Sequence, residues 1–175
     1  SQTIQLMHWF STLGGRSRNG WGSIHLDHED NMPLSVDTDF SEVARPLQDC
    51  LQLDWPHAIG CDQRPLVWLT EPLNSWVKVV DTLAKLKGQI RSSLKLEKKA
   101  LSPRILLAYP VTGVSVPGWG ESARFANQLR FKVMHSGNEY RGVLVHLPCG
   151  LPTHLLSRQQ QHWLDNHQLE VWASI

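Results

Sequence analysis

Leu129-Arg130-Phe131-Lys132-Val133-Met134 and Val143-Leu144-Val145-His146-Leu147, with Ser136-Gly137-Asn138 between them, form the stretch that decides the fold. Leu129, Phe131 and Val133 alternate with Arg130, Lys132 and Met134. Val143, Val145 and Leu147 alternate with Leu144 and His146. A period of two is that of a strand with one buried face. The turn residues between the two runs predict a β-hairpin with strands over 128–134 and 141–147.

Upstream, Leu66 to Leu69 is a short apolar run that reads as a buried strand. Asn74 or Ser75 then caps a long helix, expected over 75–96. Its stripe of Trp76, Val79, Val80, Leu83, Leu86 and Ile90 recurs at steps of three and four. Gly88 inside it weakens it by about 1 kcal/mol relative to alanine. Residues 101–122 are broken by prolines and glycines, and Ile105 to Ala108 adds a possible strand there. Downstream, Ser157 caps a helix over 158–166, and Leu169, Val171 and Ala173 read as a last strand over 169–174. The fold class is therefore α+β, and the order β-α-β-β-α-β over residues 64–175 is ferredoxin-like. Residues 41–63 read as a connecting helix, capped by Ser41 and either short or kinked because of Pro46, followed by a loop.

Ahead of these lies a different pattern. Ile4, Leu6, Met7, Trp9, Phe10 and Leu13 repeat with the helical period, and Ile24 and Leu26 alternate like a half-buried strand over 23–27. Between them runs Leu13-Gly14-Gly15-Arg16-Ser17-Arg18-Asn19-Gly20-Trp21-Gly22-Ser23. Glycine lets a backbone approach another surface closely. Arginine offers a planar fork of donors that suits phosphate. Tryptophan offers a face on which a base can stack. The plainer reading of such a loop is a turn with two solvated arginines, and short glycine patterns do misfire.

The order helix, glycine-arginine loop, strand resembles the glycine-rich loop of the RAMP superfamily, the RNA-binding subunits of CRISPR effector complexes. The wording LGGRSRNGWGS is most similar to the first Cmr-family subunit of type III-B complexes. Its pattern has a spacer between Gly15 and Arg16, an arginine where Asn19 stands and a phenylalanine where Trp21 stands. A second, softer match lies in Arg124-Phe125-Ala126-Asn127-Gln128-Leu129, where Asn127-Gln128 replaces Ser-Pro. The resemblance implies that residues 1–40 are the last helix, loop and strand of an incomplete ferredoxin-like domain, with its linker. A fragment or a partner chain then accounts for the rest of that domain. It implies RNA contact through Gly14, Gly15, Arg16, Arg18, Gly20, Trp21 and Gly22, with Arg124, Arg130 and Lys132 as a second patch. Trp21 either stacks on a base or packs beneath the loop.

Composition narrows the classes. The chain has 175 residues, and 41% of them are hydrophobic, which is compatible with a packed core. No apolar run is long enough to span a bilayer, and no leader pattern opens the sequence, so membrane and secretory readings are not expected. Cys50, Cys61 and Cys149 form an odd, widely spaced set, which points to reduced thiols in a cytoplasmic setting. Net charge is only +1, but it is segregated. Residues 27–54 carry eight acids against Arg45 alone, while residues 74–104 carry eight basic residues against Asp81 and Glu97. The basic block suits either an acidic polymer or a solvated helix face.

Nine histidines raise the question of catalysis. His25, Asp27 and His28 lie at a strand end, a pattern commoner for a polar edge than for a metal. No P-loop, dinucleotide fingerprint or Ser-His-Asp order is present. The expectation is a non-catalytic RNA-binding subunit without cofactor or metal, with RNA and other CRISPR effector subunits as partners. The rival is a CRISPR RNA-processing endoribonuclease with His25 or His28 as general acid or base.

Overall fold

The computed structural model describes residues 2–14, 20–27, 32–35 and 37–173. The elements follow in the order α1 (Gln2–Phe10), β1 (Ala44–Pro46), α2 (Leu47–Cys50), β2 (Ile59–Cys61), β3 (Val67–Leu69), α3 (Trp76–Ser93), α4 (Pro103–Leu107), β4 (Leu129–Ser136), β5 (Glu139–His146) and α5 (Arg158–Ala173), with a short 3-10 turn at Thr153–Leu155. The class is α+β.

The hairpin forms as its alternation requires, with Leu129 opposite His146 and Ser136 opposite Glu139. Gly137 takes a φ of +58°, which fits the tight two-residue connection. β3 adds antiparallel on the far side of β5, so the main sheet runs β3-β5-β4. α3 is the crossover from β3 to β4, and β5 lies between the two strands that it joins.

The two faces of this sheet carry different cores. Leu129, Phe131, Val133 and Leu144 pack with Val79 and Leu83 of α3, Ile105 and Leu106 of α4, and Leu164 and Trp172 of α5. Val143 and Val145 point the other way. There they meet Trp9 of α1 together with Leu34, Phe40 and Ile59. The α1 apolar face is thus covered by this chain at Trp9, while Ile4 and Met7 stay exposed. A separate two-stranded parallel ladder joins β1 to β2.

Four expectations are corrected. The strand over 169–174 does not form, because α5 runs through Ala173. Leu164, Gln168, Val171 and Trp172 are buried at helical steps, whereas Leu169, part of the supposed alternation, is exposed. The strand at 105–108 is instead α4: Pro103 sits in its first turn and presets the helical φ. The strand over 23–27 reduces to an isolated bridge between Thr12 and Ser23. The helix from Ser41 is delayed, because Ala44–Pro46 pairs as a strand and Pro46 holds an extended ψ of 144° before α2.

No helix among the described residues is long and apolar enough to cross a membrane. His146 is fully buried with its ring centroid 4.6 Å from that of Trp172, and neither ring nitrogen meets a hydrogen-bond partner among the described residues. Burial pushes its pKa from 6.5 down to about 3. Below pH 6.5 the unfolded chain takes up a proton that the folded chain refuses. This contribution to stability is therefore complete above pH 6.5 and is lost as pH falls towards 3, at up to about 1.4 kcal/mol per pH unit. We predict that His146→Phe matches or exceeds the parent in stability at pH 7 and flattens the loss between pH 6.5 and 4. Urea unfolding across that range measures both effects.

Candidate nucleic-acid interface

Local geometry at both ends of the glycine loop is tightly specified. Leu13 N–H donates to Gly22 O at 2.8 Å, and the Thr12–Ser23 bridge closes the base. Gly22 has a φ of +70°, and a Cβ there would lie 1.9 Å from the Leu13 carbonyl oxygen. Gly20 is buried, against Leu83 of α3 and Val133 of β4. Ser23 accepts the Val133 N–H at 2.8 Å on its hydroxyl and donates to Gly20 O. β4 is the edge strand here, and this hydroxyl stands where a further strand would have paired. Gly14, at a φ of +96°, has open space around its missing side chain. Gly15, Arg16 and Arg18 lie outside the described residues.

Trp21 is 49% exposed. Its ring meets Trp76 edge to face at a centroid distance of 5.0 Å. The ring therefore packs against α3 while about half of it stays open to solvent. From Trp21 a groove of about 330 Å³ runs beside α3, past Ala84 and Gly88 to Lys87 and Arg91, with Leu83 and Phe131 as its floor. Beyond Lys87 and Arg91 it adjoins a recess of about 160 Å³ that Arg104 of α4 also lines.

These cations act on one another. Burial and the Arg91 charge both lower the pKa of Lys87, and the same two causes lower that of Arg104. The Arg104 Nε is buried without a hydrogen-bond partner among the described residues. The two acids of the basic block are engaged elsewhere. Asp81 pairs with Lys85 at 2.7 Å and Glu97 pairs with Lys95 at 2.7 Å. The groove thus offers an aromatic face at one end and clustered positive charge at the other.

The second predicted patch does not assemble. Lys132 is 3% exposed. Its ammonium donates to the Met7 and His8 carbonyls, at the negative end of the α1 dipole, and burial lowers its pKa to about 8. Arg130 is half-buried on the same face of β4, away from α3. Arg124 is exposed, but its guanidinium turns back onto the Glu121 and Ala123 carbonyls. The groove cations Lys87, Arg91 and Arg104 were visible only as members of the basic block. The sequence could not show which of its eight face the loop, because that depends on how α3 seats on the sheet.

The remaining chemistry is limited. His25 is exposed with its ring 4.6 Å from that of His8, and His28 lies outside the described residues. Among the described residues no three His, Cys, Asp or Glu side chains gather closely enough for a metal. Cys149 is fully buried, and its thiol is pushed up to about 12, mainly by burial, so it is unreactive. No protein-family model matches the chain, and no curated protein or solved structure matches it.

The loop geometry makes a direct prediction. Gly22→Ala combines a left-handed φ with a collision against fixed backbone, and is expected to cost about 1–3 kcal/mol in urea unfolding. Gly14→Ala meets only the φ strain and is expected to cost less.

Proposed function

We propose that this chain is a non-catalytic RNA-binding subunit, or part of one, of RAMP type, working in the cytoplasm beside other subunits of a type III CRISPR effector complex. The observation that carries the RNA reading is the juxtaposition of Trp21 with Lys87 and Arg91 along one groove, with Arg104 in the recess that adjoins it. A flat ring beside a row of cations is how single strands are held without base readout: bases stack and phosphates are neutralised. The loop that presents Trp21 also carries Arg16 and Arg18, which add phosphate donors. The sheet order β3-β5-β4 with α3 as crossover supports a ferredoxin-like relationship with three strands in place of four.

Labelled single-stranded RNA, titrated by fluorescence anisotropy at several salt concentrations, tests this reading. Each phosphate contact on a single strand contributes about −0.7 to the slope of log K against log salt. Lys87→Gln with Arg91→Gln should therefore flatten the slope by about 1.4, and Arg16→Ala with Arg18→Ala should do likewise. Trp21→Ala should cost about 1–3 kcal/mol with little change in slope. An unchanged slope in the Lys87 and Arg91 variant overturns the groove. RNA recovered as cleaved product, with cleavage abolished by His25→Ala, favours the endoribonuclease reading instead.

A further inference from the structure

The opposite face of the sheet carries a second cleft that the RNA groove does not use. α1, the segment after Ser23, residues 33–35 and the hairpin end enclose about 540 Å³, within the size range of small-molecule sites. Leu34 is buried at its floor, beside the half-buried Leu69 and Met134. His8, His25, His135, Glu139 and Arg141 stand around it.

The polar groups are arranged with some definition. Leu26 N–H donates to His8 Nδ1 at 3.3 Å, so a neutral His8 ring keeps its proton on Nε2 and is a donor there. Burial, followed by the His25 and Lys132 charges, favours that neutral form. His25 meets His8 edge to face at 4.6 Å. Arg141 is exposed and sits directly across the hairpin from Met134, so both side chains leave the same face of the sheet and line the cleft. His135 leans on Tyr140 at 4.7 Å.

Among the described residues the Arg141 guanidinium, the His25 ring and the His8 Nε2–H donor face one carboxylate, Glu139, while the His135 ring lies on the other face of the hairpin, against Tyr140. This excess of donors favours an anion. The apolar floor selects something larger than an inorganic ion, and a thioether among aliphatic side chains favours a flat ring. Glu139 adds an acceptor for hydroxyl groups. We propose that this cleft binds a nucleoside bearing a terminal phosphate. The base lies over Leu34, Leu69 and Met134, the ribose hydroxyls meet Glu139, and the phosphate is held by Arg141 and His25. The ligand is either a free mononucleotide or the phosphorylated end of an RNA strand.

Isothermal titration of the whole chain with adenosine and uridine 5′-monophosphates tests this, with NMR of the histidine ring protons as a second readout. Saturable one-to-one binding is expected, with shifts at His8 and His25. Arg141→Met and His25→Gln should each weaken it at least about tenfold, with the fold checked by circular dichroism. Adenosine and inorganic phosphate should each bind far more weakly than the nucleotide. Displacement of the nucleotide by a 5′-phosphorylated oligonucleotide but not its 5′-hydroxyl form identifies an RNA end as the source. Failure of both to displace it identifies free nucleotide. Lys87→Gln with Arg91→Gln should leave nucleotide binding intact, so the cleft and the groove succeed or fail separately. Absence of saturable binding overturns the proposal, as does unchanged affinity in both cleft variants or phosphate binding as tight as the nucleotide.

Discussion

The side-chain amide of Gln128 is the joint on which the α4–β4–β5 region depends. It is fully buried, donates to the carbonyls of Leu106 and Cys149, and accepts the Cys149 N–H. Its own backbone donates to Leu107 O and accepts from Leu147 N. A buried amide left partly unpaired costs more than the pairing contributes, so the geometry at 106, 128 and 149 must be met together. This fixes where α4 ends, where β4 starts and how the chain leaves β5. Arg104 reaches the recess beside the groove from α4, whose last turn is held by this same amide.

A second buried polar group does the corresponding task on the opposite face. Lys132 ties β4 to the last turn of α1 through the Met7 and His8 carbonyls. Because β4 alternates, one strand carries Phe131 into the floor of the groove and Lys132 into the support of the histidine cleft. The two candidate sites thus lie on the two faces of one strand, each steadied by a different helix.

Legibility in the sequence followed the physics of each segment. The hairpin and α3 were readable because their periods are long and uninterrupted. The run Ile105-Leu106-Leu107 was ambiguous: all three are buried, so no alternation distinguishes strand from helix, and Pro103 was the only local cue. Leu169, Val171 and Ala173 imitated a strand because every second residue was apolar, yet the burial of Gln168 and Trp172 shows the helical phase. At the site, the glycine-rich context singles out Trp21, but its exposure depends on how the loop seats against Trp76 of α3. Lys132 was misjudged, since a lysine at a strand's polar phase looks solvated unless the helix that covers it is known. The histidine cleft joins residues 8, 25, 135, 139 and 141, and no local pattern connects such distant positions.

The outer margin of β4 is partly closed by side chains. Ser23 accepts the Val133 N–H, and Asn127 Oδ1 accepts the Leu129 N–H at 3.0 Å. An edge strand with open amides is a template onto which a foreign strand can be zipped. With two of these amides already answered, a neighbouring protein gains little by extending the sheet here. A partner that approaches this side of the molecule therefore meets side-chain relief, helices and loops more than an open backbone ladder.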